Sequence, residues 1–406
     1  MGARQDGSAP SPTRTRWAAV LAASVAALAF VPPVIVLAKS AVGVPGDAIV
    51  PIIGKNTTCG RATREANVLV GRGPIAFAQL PGDVLSATRR VTVDDPSADP
   101  DTGAPGRGAV WFVTIHLSSV RTWLAMDLAK RDCRAELLNR DQVLGGATTS
   151  AEATQSRSLM QASQQLSEFV ALRRLGRVVA VRDGGVVIDS LCLEGPEGAC
   201  LRQAPAASVL AKGDVITSVD GHQVDLDIDI ATALQGHRVG DIVSVVYEHR
   251  NVQANALVEL TTAPGSDVPI LGVTPSAMLP SSIQFDFPID VRIDSGAVGG
   301  PSAGLAFTLA LLDALSPGSL TGGLRVAATG AIQPSGRVAE VGGVRQKTIA
   351  VRDAGAQLFL VPAAQEAVAR AAAAGSALVV QGVRTLDDAL DVLTRYGGAG
   401  VAAPNG

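Results

Sequence analysis

Charge is scarce in this chain: charged residues make up 17% of its 406, against 47% hydrophobic, with a formal net charge of −3. Nothing in that balance asks for nucleic acid as a partner. Lysine is rarer still, at positions 39, 55, 130, 212 and 347 only, so a lysine with a chemical task stands out against an arginine background. The four histidines, His116, His222, His237 and His249, all precede residue 250. There is no CxxC pair and no His/Cys cluster, so no metal site is expected, and no cofactor. The phosphate-loop pattern G-x-x-x-x-G-K-[ST] is missing too, since Gly54-Lys55-Asn56 lacks both the earlier glycine and the hydroxyl.

One long hydrophobic run is present. Trp17 to Ala38 carries no charge, and 22 residues of helix reach roughly 33 Å, enough to cross a bilayer core. A cleaved signal peptide has a shorter apolar core; cleavage near Ala38-Lys39-Ser40 is the alternative. Arg4, Arg14 and Arg16, opposed by Asp6 alone, put the N-terminus in the cytoplasm. Residues 40 to 406 are then expected outside it, where disulfides persist. Cys192 and Cys200 bracket the turn-rich Leu193–Ala199, which favours Cys192–Cys200 and leaves Cys59–Cys133. Four buried thiols are the competing reading.

The length suits two or three domains. We divide the chain into a tail (1–16), a transmembrane anchor (17–38), an N-terminal extracytoplasmic region (39–152), a connecting helix (153–175), a β-rich domain (176–264), an α+β domain (265–398) and a tail (399–406). The first region holds short β-like pieces at Asn67–Val70 and Val110–Ile115 but has no readable organisation. The connecting helix puts Leu159, Ala162, Leu166 and Val170 on one face. In the α+β domain, Phe285, Phe287, Ile289, Val291 and Ile293 alternate with polar residues and Pro288 as in one half-buried edge strand. Helices are expected at 344–353, 363–374 and 385–395, and strands at Leu324–Thr329, Leu358–Val361 and Ala377–Val380.

The chemistry centres on Gly299-Gly300-Pro301-Ser302-Ala303-Gly304, which leads into the apolar helix beginning Leu305-Ala306-Phe307. The free N–H groups of a helix start can hold a developing oxyanion. The stretch fits G-x-S-x-G, but a hydrolase of that type places its histidine after the serine, and none follows here. Lys347 follows, behind Gly342-Gly343 at the start of an apolar helix. Burial disfavours an ammonium, so a buried lysine can serve as the base a serine needs.

Gly300-Pro-Ser-Ala-Gly304, Ala328-Thr-Gly-Ala331 and Gly342-Gly-Val-Arg-Gln-Lys347 together resemble the Lon-type peptidase domain, a serine–lysine protease with a ribosomal-protein-S5-domain-2-like fold. By that resemblance Ser302 is the nucleophile, Lys347 the general base and Thr329 the residue that positions the lysine. Gly300 and Ala303 support the backbone around the oxyanion. Many Lon proteases have an acid before Gly-Pro-Ser; Gly299 stands here, which implies a less occluded site. The segment Ala206–Val224, with its Gly213-Asp214 and Asp220-Gly221 turns, resembles the PDZ family. That resemblance implies a groove taking an extended peptide as an added strand, with Gly184, Gly185, Val186 and Val187 as the candidate binding loop. The order of anchor, PDZ and Lon-type domain resembles bacterial membrane-anchored Lon-like proteases. It implies an ATP-independent serine endopeptidase acting on polypeptides at the outer face of a membrane, with homo-oligomerisation left open. The alternative is a catalytically inactive PDZ scaffold that keeps a Lon-like fold.

Overall fold

A computed structural model of the chain describes residues 75–120, 132, 134–144, 148–194, 200–276 and 279–401. The apolar run 17–38, the β-like piece 67–70, Cys59 and Cys133 lie outside them. Among the described residues no helix is long and apolar enough to cross a membrane. The chain divides into a smaller unit (1–79 and 117–145) and a larger one (80–116 and 146–406). In the smaller unit, residues 75–79 pair antiparallel with Glu136–Asn139. Asn139 then caps the short helix Arg140–Leu144: Gln142 N–H donates to Asn139 Oδ1 (2.8 Å) and Asn139 N–H to Gln142 Oε1 (2.9 Å).

The larger unit contains β1 (Ile75–Ser86, from residue 80 on), β2 (Val91–Asp94), β3 (Ala109–Ser119, as far as residue 116) and α1 (Thr149–Arg174). The β-rich domain follows, with β4 (Ala180–Arg182), β5 (Val186–Ser190), β6 (Val215–Val219), α2 (Asp227–Ala233), β7 (Ile242–His249), β8 (Val252–Glu259) and β9 (Thr274–Pro275). The last part carries β10 (Gln284–Asp286), β11 (Asp290–Ile293), α3 (Gly304–Leu315), β12 (Arg325–Ala328), β13 (Ala331–Ile332) and β14 (Val338–Ala339). It ends with α4 (Val344–Asp353), β15 (Leu358–Pro362), α5 (Glu366–Ala373), β16 (Val379–Val383) and α6 (Leu386–Arg395).

The main sheet of the larger unit runs β16-β15-β12-β3-β1. Its strands β16, β15, β12 and β3 are parallel, with Val326 opposite both Leu358 and Val110. Helices cover both faces. Val110, Phe112, Val326, Ala328, Leu358 and Leu360 face α1, α3 and α6, while Val113, Ala327, Phe359 and Val361 face α4 and α5. Burial on both faces explains why Leu358–Pro362 reads as one apolar run instead of alternating.

Two expectations change here. Residues 80–116 and α1 sit in the same core as the serine helix α3, so elements from before the β-rich domain complete the sheet of the domain after it. The β-rich domain is an insertion between α1 and β10. Parallel pairing joins residues far apart in sequence and leaves no local signature. The single strand expected over 285–293 is also two strands. β10 pairs with β4 and β11 with β2, and the break falls at Phe287–Ile289, around Pro288, whose missing N–H cannot serve a ladder. Helix α1 runs from its cap Thr148, whose Oγ1 accepts from Ala151 N–H (3.2 Å).

The inserted domain is an antiparallel sheet in the order β8-β7-β6-β5-β9 around Ile188, Ile216, Val219, Val243, Val245 and Val258. Arg250 and Asn251, both at positive φ (51° and 64°), form the two-residue turn between β7 and β8. Asp220-Gly221 (φ 47° and 77°) turns the chain between β6 and His222-Gln223 as expected. Cys192 and Cys200 form a disulfide (Cα–Cα 5.6 Å) across a short hairpin.

Candidate active site

Three elements converge on the nucleophile loop. Strand β12 leads directly into Thr329, which is fully buried, and the Thr329 N–H donates to Leu360 O (3.0 Å). Helix α4 starts after Gly343, held at φ 69° where a side chain is disfavoured, and places Lys347 inside the protein at 2% exposure. Helix α3 is buried along its whole length and begins just after Ser302, which is half-buried. Gly300, at φ 84°, turns the chain into the Pro301-Ser302 step.

The hydrogen bonds around Ser302 have a definite direction. Its carbonyl accepts from Gly330 N–H (2.9 Å) and from Thr329 Oγ1 (3.1 Å). A threonine hydroxyl has one proton, and Thr329 gives it to Ser302 O. Towards Lys347, Thr329 Oγ1 can therefore only accept, and Nζ donates to it at 3.2 Å. The lysine lone pair is left free for another proton. Burial pushes the Lys347 ammonium down from 10.5 to about 7, and among the described residues no carboxylate pairs with it. The N–H groups of Ser302 and Ala303 have no acceptor among the described residues. Ser302 Oγ makes no hydrogen bond there either, so the hydroxyl and the two N–H donors of the loop are all unspent among the described residues.

Ser302, Thr329, Lys347, Gly300 and Ala303 are thus brought together. Two of the histidines lie in the inserted domain, where His237 pairs with Asp220 (3.0 Å) and His249 with Asp214 (2.7 Å). The candidate peptide loop at 184–187 is not an open edge. Gly184 N–H donates to Asp225 Oδ1 (3.0 Å) and Gly185 N–H to Asp225 O (2.9 Å), so neither amide is free for a peptide carboxylate. Strand β5 pairs with β6 on one side and β9 on the other, and Ser276 N–H donates to Val187 O (2.8 Å). The chain's own backbone fills both edges.

Helix α1 was not expected to take part in the site, and it does. Gly300 N–H donates to Ser156 O (2.7 Å), and Ser163 Oγ donates to Pro301 O (3.1 Å). A Cβ built at Gly299 would lie 2.2 Å from Ser156 Oγ, so glycine at this position lets the loop lie close against α1. The signal was in the sequence as Ser163 and Ser167, small polar residues four apart on the face that buries Ala162 and Leu166.

Comparison with known proteins matches two parts of the chain. Residues 277–393 match the Lon protease (S16) C-terminal proteolytic domain, and residues 174–260 match a PDZ domain. The chain is 38% identical over 99 residues to a Lon protease of Phenylobacterium zucineum, covering 24% of this chain and 12% of that protein. It is 42% identical over 81 residues to a Lon protease of Clostridioides difficile, covering 20% and 10%. The matched part is therefore only about a tenth of the length of these relatives. The crystal structure of the PDZ domain of an SdrC-like protein from Listeria monocytogenes is 28% identical, with a TM-score of 0.17 over 22% of this chain and 90% of that one. Residues 174–260 thus match a PDZ domain and residues 277–393 the Lon proteolytic domain, and the second of these similarities supports a serine peptidase.

Proposed function

We propose that the chain is an ATP-independent serine endopeptidase in which Ser302 and Lys347 form the catalytic dyad. The observation that carries this reading is the direction of the Thr329 hydrogen bonds: with its proton on Ser302 O, Thr329 orients Lys347 without consuming the lone pair. Neutral Lys347 takes the Ser302 hydroxyl proton as Oγ bonds to the scissile carbonyl carbon. The carbonyl oxygen becomes an oxyanion facing Ser302 N–H and Ala303 N–H. As the C–N bond breaks, Lys347 returns the proton to the leaving amine. Water then attacks the acyl-enzyme by the same route and restores Ser302.

The PDZ domain is proposed to select extended or unfolded polypeptides, and residues 17–38 to anchor the chain with the catalytic unit outside the cytoplasm. Neither rests on the geometry of the dyad. Photocrosslinking of an unfolded substrate to residues 176–264 tests the first. For the second, removal of residues 1–39 should move activity from the membrane to the soluble fraction.

The dyad is tested with the full-length chain, an unfolded fluorescent polypeptide and no nucleotide. Ser302→Ala and Lys347→Ala should each lower cleavage by at least about 10³-fold. Wild-type activity should rise with pH through about 7, as Lys347 loses its proton. Cleavage surviving in Ser302→Ala would sink the dyad. No cleavage by the wild type, with no labelling of Ser302 by a serine-directed phosphonate, would favour a binding protein.

A further inference from the structure

The two oxyanion donors of the proposed site are held from behind. A peptide group is planar, with C=O and N–H pointing in opposite directions, so whatever grips a carbonyl also aims the N–H of the next residue. Ser302 O, gripped by Gly330 N–H and Thr329 Oγ1, aims Ala303 N–H. Pro301 O aims Ser302 N–H, and two donors grip it: Gly304 N–H (3.2 Å), a bond local to the turn, and Ser163 Oγ (3.1 Å). Ser163 lies 138 residues away in sequence, on α1, and is 3% exposed. Among the described residues it is the one side chain that fixes this peptide plane to the rest of the core.

We propose that Ser163 is a positioning residue for acylation, orienting Ser302 N–H toward the oxyanion through the Pro301 carbonyl. The inference rests on the Ser302–Lys347 reading. Ser163 touches neither the substrate nor the lysine, so its removal should weaken oxyanion stabilisation and leave base strength and substrate affinity alone. Ser167 provides a control one turn along the same buried face. Its Oγ bonds Ser163 O (2.6 Å) and Gly304 O (3.0 Å), tying α1 to α3 without touching either peptide that bears an oxyanion donor.

The test compares full-length wild type, Ser163→Ala, Ser167→Ala and Ser302→Ala on the same polypeptide substrate. Alanine is the better helix former, so both α1 variants should fold. Outright loss of an oxyanion donor costs about 10²–10³ in kcat; a misaimed donor still held by Gly304 N–H should cost less. Ser163→Ala is expected to lower kcat and the rate of phosphonate labelling about tenfold. Its KM should stay within about twofold, the midpoint of its pH profile should not move, and Ser167→Ala should keep kcat within about twofold. A wild-type kcat in Ser163→Ala, a shifted pH midpoint, or an equal loss in Ser167→Ala would overturn the inference while the dyad stands. Activity retained in Ser302→Ala would overturn both.

Discussion

Lys347 shows most directly what the proposed serine–lysine site costs its fold. The side chain is buried and carries no charge partner among the described residues, and its ammonium is held near 7 in place of 10.5. Between those values the unfolded chain binds one proton more than the folded one, so stability rises with pH across that window. Below about 7 both states are protonated and the full penalty applies, on the order of 4–6 kcal/mol. Lys347→Met keeps a flexible apolar chain of similar length and removes the titration. The variant should therefore be inactive but more stable than wild type at pH 6, with its advantage shrinking steadily toward pH 10. Urea unfolding at pH 6, 8 and 10 measures this. A difference that does not change with pH would mean that Lys347 is not a depressed lysine. The same residue was also the most readable part of the site. Lysine is so scarce in this chain that one lysine, after a double glycine and downstream of Ser302, was the only basic candidate of its type. Thr329 was named through its motif, but the direction of its proton was not readable, because hydrogen-bond direction depends on three segments meeting in space.

Among elements, those with local signals were legible. Helix α4 was expected over 344–353 and is found there, and α6 starts at the capping Thr385, whose Oγ1 accepts from Asp388 N–H (3.1 Å). The Asp220-Gly221 turn likewise follows from its own residues. Helix α1 was legible as a helix but not in its role, since periodicity reports a buried face and not what covers it. What covers it is helix α3 together with the loop that carries Ser302, and the contact with the loop is close enough to test. A methyl group at Gly299 would meet Ser156 Oγ at 2.2 Å, with Ser156 Cβ next at 3.1 Å. Gly299→Ala should push the loop off α1 and disturb the Gly300 N–H to Ser156 O bond, an overpacking error worth about 1–3 kcal/mol. We expect kcat to drop at least tenfold. Trimming the obstacle in Gly299→Ala/Ser156→Ala should recover most of it, because the Ser156 carbonyl is retained. If the double variant is no better than the single one, the conformation of Gly299 matters, and not its clearance from α1.

At the scale of the whole chain, the domain proposed to perform the chemistry is assembled from both sides of the PDZ insertion. Residues 277–393 match the proteolytic domain by sequence, yet β12 is flanked by β3, and α3 is covered by α1. The ring of Phe112, on β3, packs on that of Phe307, on α3, with centroids 5.2 Å apart, and Phe169, on α1, packs on Phe285 at 5.9 Å. None of this was legible in residues 39–152, because the pairing partners lie some two hundred residues downstream and parallel strands carry no turn signal between them. The arrangement makes a strong prediction about dissection. A fragment of residues 265–406 would expose the β3-facing edge of β12 and the α1-facing side of α3. It would lose the burial of Val110, Phe112, Leu166, Phe169 and Val170. At about 1.5–3 kcal/mol per buried side chain, that is of the order of the entire stability of a domain. The fragment should show no cooperative thermal transition, bind a hydrophobic dye and fail to react with a serine-directed phosphonate. Supplying residues 75–175 as a separate chain should restore some of each property, because the missing strands and helix are contiguous in that piece. A fragment 265–406 that melts cooperatively near the temperature of the full chain would show that the sequence match alone delimits the folding unit.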